Sequence, residues 1–165
     1  MRIVFQILLL GAAVLVLSSC QQGGSSAPTA AQAPSAPAAP RQPEIKPPYP
    51  VTDSSQIIYS GGVGIYYVEK GAGAIPKPNS MVMINYHGML EDGTVFDSSF
   101  ERGKVADFNL GNLIQGWQIG LTQVPTGSKV KLFIPAELGY GAQGSPPKIP
   151  GNADLVFDIE LITTY

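Results

Sequence analysis

The apolar residues of this chain are so unevenly spread that only part of it can build a core, and this limits the possible folds more than anything else. Residues 21–50 hold eight prolines and seven alanines, with no large apolar side chain before Ile45. Such a segment cannot bury enough surface to offset the entropy of ordering it, so it is expected to be a disordered tether. Its extended polyproline stretches would advance about 3.1 Å per residue. Pro40-Arg41-Gln42-Pro43 is a minimal PxxP, but one copy in a Pro-rich run is close to chance and does not define a docking motif. The fold must come from residues 51–165, a stretch long enough to bury roughly 60–70% of its unfolded surface and fold alone.

Ahead of the tether, Arg2 precedes residues 3–17, which are apolar apart from Gln6. That run is shorter than the about 20 residues a membrane-spanning helix needs, and it fits the apolar core of a secretory signal. It ends in Leu17-Ser18-Ser19-Cys20, which resembles the bacterial lipobox: a branched apolar residue, two small residues, then cysteine. The resemblance implies a signal peptide over residues 1–19, lipidation of Cys20, and residues 20–50 as the lipidated Cys and its tether. Gln21 stands where an Asp would signal inner-membrane retention. In a cell with two membranes this implies an anchor in the outer membrane, facing the periplasm or the cell surface.

Charge and composition exclude several functions. Ten basic residues stand against twelve acidic, giving a net charge of −2, so no basic excess is available to grip nucleic acid. One cysteine and one histidine rule out an internal disulfide framework and zinc sites of four cysteines or of two cysteines and two histidines. No metal and no cofactor is expected.

Hydrophobic periodicity supplies the elements. Gly64 to Glu69 is rich in β-branched and aromatic residues and reads as a strand. From Met81 to Leu90, Val82, Ile84 and Tyr86 share one face while Asn85 and His87 take the other. Glu91-Asp92-Gly93-Thr94 is a hairpin turn signature, with Thr94 to Ser98 as the return strand. Leu113, Ile114, Trp117 and Leu121 are at helical spacing despite Gly116 and Gly120. Ser128 to Ile134 alternates with Lys129 and Lys131 outward, and Asp154 to Ile162 alternates with Asp158 and Glu160 outward. Gly139 to Ala153 is a Gly/Pro-rich loop. The expected class is α+β: an antiparallel sheet curled over one short helix.

Several candidate sites dissolve on inspection. His87, Asp97 and Ser98 invite a hydrolase triad, but no G-x-S-x-G elbow surrounds Ser98 or Ser99, and His87 on the outward phase is expected to be exposed. Gly61-Gly62-Val63-Gly64 has no following helix to bind phosphate. Asp92, Asp97 and Asp107 lack calcium-loop spacing. What remains is a set of aromatics near turns and loops: Tyr86, Phe96, Phe108, Trp117, Tyr140 and Phe157. With one aspartate among them, they suggest an apolar cup with few polar groups.

The motifs Val82-Met83-Ile84-Asn85-Tyr86-His87-Gly88 and Leu90-Glu91-Asp92-Gly93-Thr94-Val95-Phe96-Asp97-Ser98-Ser99 resemble the signature of FKBP-type peptidyl-prolyl cis–trans isomerases. Ile114-Gln115-Gly116-Trp117, Ile134-Pro135, Leu138-Gly139-Tyr140-Gly141, Ile149-Pro150 and Leu155-Val156-Phe157-Asp158-Ile159-Glu160-Leu161 continue it in order. The resemblance implies a strongly bent sheet around a short helix, and prolyl isomerase activity; with the anchor expected at Cys20, the substrates would be unfolded or partly folded proteins outside the cytoplasm. It implies Tyr86, Phe96, Asp97, Trp117 and Tyr140 as catalytic residues, with Trp117 as floor, and Leu113, Ile114, Ile149 and Phe157 as further substrate-binding walls. Tyr140 and the Ile114 N–H would donate hydrogen bonds to substrate. It also implies a pocket that macrolide inhibitors can enter. Three departures weigh against tight macrolide binding: Ala106 replaces a second pocket aromatic, Ser145 a loop histidine, and Gly151 a second proline. The alternative is a proline-peptide binding module or chaperone that uses the same cup without turnover. The chain has no long helical dimerisation segment before the domain, so a monomer is expected.

Overall fold

The alternation between residues 81 and 90 produces the strand on which the rest of the sheet is assembled. The computed structural model describes residues 47–165; the signal segment, Cys20 and the tether up to residue 46 lie outside the described residues. The strands are β1 (Ile58–Ser60), β2 (Val63–Glu69), β3 (Met81–Leu90), β4 (Val95–Ser98), β5 (Ala106–Asn109), β6 (Ser128–Ile134) and β7 (Leu155–Thr164), with short helices α1 (Ser99–Arg102) and α2 (Gln115–Leu121). Among the described residues these strands form one sheet in the order β1-β2-β6-β7-β3-β4, and β5 also pairs with β3. Every strand pairing is antiparallel. β5 covers the first half of β3 and β4 the second, so one edge is shared by two short strands with α1 between them. Register shifts in the β2–β6, β3–β4 and β3–β7 pairs bend and twist the sheet, as bulges do. The result is the expected α+β architecture.

The inner face carries the core. Val82, Ile84 and Tyr86 of β3, Val130, Leu132 and Ile134 of β6, and Leu155, Phe157, Ile159 and Leu161 of β7 are buried against Trp117 and Leu121 of α2. The helix lies close to the sheet because Gly116 has no side chain: a Cβ there would sit 2.3 Å from Ile134 Cγ2. Its two glycines lower helix propensity, yet here a close approach requires one of them. The hairpin between β3 and β4 turns at Gly93, with φ +85°, and Asp92 accepts the Thr94 N–H at 2.8 Å. Gly61 and Gly62 form the β1–β2 turn at positive φ.

The outer face differs from expectation. His87 is buried, not exposed, and so are Lys131, Asp158 and Ser98. The register sets these four side by side: Lys131 opposite Asp158, Asp158 opposite His87, and His87 opposite Ser98. Lys131 Nζ pairs with Asp158 Oδ1 at 2.6 Å, and His87 Nδ1 meets Ser98 Oγ at 3.0 Å. Burial pushes the Asp158 carboxyl above the usual range, against the opposing pull of Lys131 and the Tyr49 N–H. Alternation identifies a face but not what covers it. Tyr49, placed by the sequence at the end of the tether, is 2% exposed, and its backbone N–H donates to Asp158 Oδ2 at 2.7 Å. Thr52 Oγ1 then meets Tyr66 Oη at 2.8 Å. The ordered chain therefore begins ahead of Val51, because a buried carboxylate needs the donor that Tyr49 supplies.

Candidate active site

Each wall of the site comes from a different element. β3 supplies Tyr86, β4 Phe96 and Asp97, β5 Phe108, and β7 Phe157; α2 supplies Trp117, with Leu113 and Ile114 just before it and Tyr140 on the loop after β6. Together they enclose a cavity of about 170 Å³. Eight of the nine site residues drawn from the sequence resemblance line it. Ile149 does not: it is buried and lines an adjoining groove with Phe96, Asp97 and Tyr140. Phe108 does line the cavity; the sequence grouped it with the aromatics of an apolar cup, but the family resemblance did not name it as a site residue.

The rings interlock edge to face. Trp117 meets Phe157 at 5.0 Å between centroids and 90° between planes, Phe96 meets Phe157 at 5.5 Å, and Tyr86 meets Trp117 at 5.6 Å. Such geometry places positive ring edges on negative faces and holds the walls rigid. Gly88 makes the Phe96–Phe157 contact possible, since a Cβ there would lie 2.7 Å from Phe96 Cε2 and 2.8 Å from Phe157 Cε1. Ile114 turns the chain into α2, its carbonyl accepting the Trp117 and Gln118 N–H groups at 3.0 and 3.3 Å. Gln118 Nε2 returns to the Leu113 carbonyl at 2.8 Å, fixing the segment before the helix. Trp117 Nε1 is buried without a hydrogen-bond partner among the described residues, so a polar atom reaching the floor would find a donor.

One polar edge interrupts the apolar lining. Tyr86 Oη donates to Asp97 Oδ2 at 2.5 Å, Arg102 Nη2 donates to Tyr86 Oη at 2.8 Å, and Arg102 Nη1 pairs with Asp97 Oδ1. The guanidinium also lies 5.5 Å from the Tyr86 ring centre. Burial raises the Asp97 carboxyl, but the Tyr86 hydroxyl and the Arg102 guanidinium outweigh it and hold the group below the usual carboxylate range. Burial, and then the bond to Asp97, pushes the Tyr86 phenol up. Arg102 was not found by sequence reasoning. Its signal was local: Ser98 caps α1 by accepting the Glu101 N–H, Gly103 ends it in the left-handed region, and Arg102 is the basic residue of that turn.

The hydrolase triad is absent as geometry. His87 and Ser98 meet in the outer-face row, whereas Asp97 turns to Tyr86 and Arg102. Among the described residues no cluster of three or more His, Cys, Asp or Glu could hold a metal ion.

A bent antiparallel sheet holding an aromatic cup over a short helix, with a single arginine-bound carboxylate at its edge, defines a small apolar-ligand domain. Residues 73–162 match the family model of FKBP-type peptidyl-prolyl cis-trans isomerases, and the chain belongs to that family. It is 50% identical over 102 residues to peptidyl-prolyl cis-trans isomerase FKBP15-2 of Arabidopsis thaliana, covering 61% of this chain and 63% of that protein. It is 45% identical over 107 residues to the isomerase FkpA of Escherichia coli, covering 64% of this chain and 39% of that protein. The crystal structure of FkpA from Escherichia coli superposes with a TM-score of 0.64 at 43% identity, over 67% of this chain and 52% of that one. The chain thus spans less than two thirds of the length of these relatives.

Proposed function

We propose that this chain is a peptidyl-prolyl cis–trans isomerase, lipid-anchored through Cys20 and acting on unfolded or partly folded proteins outside the cytoplasm. The observation that carries the reading is the cup itself: interlocked aromatic walls, a cavity of about 170 Å³ suited to a prolyl ring, and one carboxylate held by Arg102 and Tyr86.

Rotation about an X–Pro bond is slow because it breaks amide resonance. In the twisted amide the nitrogen loses conjugation and the carbonyl loses charge separation, so the group becomes less polar. An apolar, water-poor cup favours the twisted form over the planar one, which is differential binding of the transition state. Tyr86, Phe96, Trp117 and Phe157 would grip the ring, with Leu113 and Ile114 at the rim. The Ile114 N–H and the Tyr140 hydroxyl would hold the substrate backbone while the preceding carbonyl rotates. Asp97 would act as a fixed dipole partner of Tyr86 and Arg102 and not as a base. Ile149 would contact the substrate beyond the proline, in the adjoining groove.

The remaining parts of the reading rest on the sequence. Residues 1–19 would be removed as a signal peptide, and acylated Cys20 would hold the mature protein in the outer membrane, facing the periplasm or the cell surface. Residues 21–46 would give a monomeric domain its reach. Relatives named FkpA, from Aeromonas hydrophila and Escherichia coli, support the isomerase activity. Macrolide inhibitors would enter the cup weakly, given Ala106, Ser145 and Gly151.

Nuclear magnetic resonance exchange on a proline peptide tests the activity directly. Faster cis–trans exchange with the full chain, lost on Phe96→Ala, is expected. Binding without acceleration would leave a proline-binding module in place of an enzyme. For the anchor, Cys20→Ser is expected to release the protein from membranes and abolish palmitate labelling. Unchanged fractionation with no label in either form would remove the lipid from the account.

A further inference from the structure

The groove that adjoins the cup carries a charge the proposed mechanism does not use. Ser145, Pro146, Pro147, Lys148 and Ile149 line it together with Phe96, Asp97 and Tyr140, and it encloses about 340 Å³. The last three also line the cup, so the groove opens from the place where a prolyl ring would sit. Its charged side chains are Asp97 and Lys148. Asp97 is balanced by Arg102 and bonded by Tyr86. Lys148 makes no ion pair among the described residues. Its Nζ donates to the Phe96 carbonyl at 2.7 Å, which fixes the ammonium at the groove and leaves further N–H donors unused. Glu101 lines an adjoining hollow together with Lys148, Phe96 and Asp97 but forms no ion pair with the lysine. Lys148 therefore brings to the groove an ammonium that no carboxylate pairs with among the described residues.

We propose that Lys148 is a specificity-determining residue that receives a carboxylate side chain of the polypeptide substrate, within two residues of the isomerised proline. This inference rests on the isomerase reading above. The site is solvent-accessible, so the preference is modest: exposed ion pairs of this kind give about a two- to fivefold advantage, and salt near 0.5 M should screen most of it.

The test compares matched proline peptides carrying Glu, Gln or Lys at one or two positions before or after the proline. Exchange rates are measured with the full chain and with Lys148→Gln, Lys148→Arg and Lys148→Glu. In the wild type the Glu peptide should exceed Gln, and Gln should exceed Lys, at one of those positions. The ratio should fall towards one in Lys148→Gln and at high salt, survive in Lys148→Arg, and reverse in Lys148→Glu. Because each variant is judged by a ratio between peptides, a general loss of activity from loosening the loop does not mimic the effect. Equal rates for the three peptides in the wild type, or a Glu preference that persists in Lys148→Gln, would overturn the proposal. Failure of every peptide to exchange would overturn the isomerase reading itself.

Discussion

Phe96 and Tyr140 both line the cup, but they differ in what else they do. Phe96 is 6% exposed and packs edge to face on Phe157, while Tyr140 is 41% exposed. Phe96→Ala is therefore expected to cost about 3–5 kcal/mol of stability and most of kcat/KM. Tyr140→Phe keeps the ring and loses one hydroxyl, so kcat/KM should fall only about two- to tenfold, with stability nearly unchanged. Denaturant titration beside peptide exchange separates the two; equal stability losses would show that Tyr140 is structural. The shifts of Asp97 and Tyr86 run in opposite directions, down for the acid and up for the phenol. Both move away from neutrality, so kcat/KM should be flat between about pH 6 and 8. A bell-shaped profile in that range, abolished by His87→Gln, would restore acid–base chemistry. For stability the sign is fixed by the lowered carboxyl. Its contribution is present above the unfolded-state pKa and is lost as pH falls through the folded one. Arg102→Gln removes part of that lowering, so the acid-unfolding midpoint should move to higher pH. Apart from Phe108, the aromatic residues of the site were legible because they sit in short motifs. Arg102 was not, since its role depends on a one-turn helix folding its side chain back over Tyr86.

At the scale of elements, Gly116 determines how closely α2 approaches the sheet. Gly116→Ala improves helix propensity by roughly 0.5–1 kcal/mol, but its Cβ would meet Ile134 at 2.3 Å. Overpacking of that kind costs about 1–3 kcal/mol, so the substitution should lower the melting temperature; a rise would mean that α2 can move off the sheet freely. The long strands β3 and β6 matched their expected bounds to the residue, because ten and seven residues give a period-two pattern room to repeat. β1, with three residues, and β5, reading Ala-Asp-Phe-Asn, carry no such repeat. β5 exists because the first half of β3 offers it a partner. That pairing is what brings Phe108 to the cup, and it explains why the short family motifs alone did not name that residue.

For the whole molecule, the question is where the domain starts. A chain beginning at Pro47 keeps the Tyr49 N–H on Asp158; one beginning at Val51 leaves that buried carboxylate with Lys131 alone. Loss of the donor should cost about 1–3 kcal/mol, with the buried Tyr49 ring adding to it, and calorimetry of the two truncations would measure the difference. Equal melting temperatures would show that Tyr49 only rests on the surface. The sequence concealed this because a single aromatic in a Pro-rich run has no periodicity to announce it.

The strand order also constrains when this domain can fold. β7 is the last strand in chain order, yet it lies in the middle of the sheet, bonded to β6 on one side and β3 on the other. Pairings as distant as Val82 with Thr164 close late, because their loop entropy must be met before contacts compensate it. While the polypeptide is being synthesised, β3 and β6 are available but have no strand to join them until β7 leaves the ribosome. Until then its apolar faces are open to proteases and chaperones.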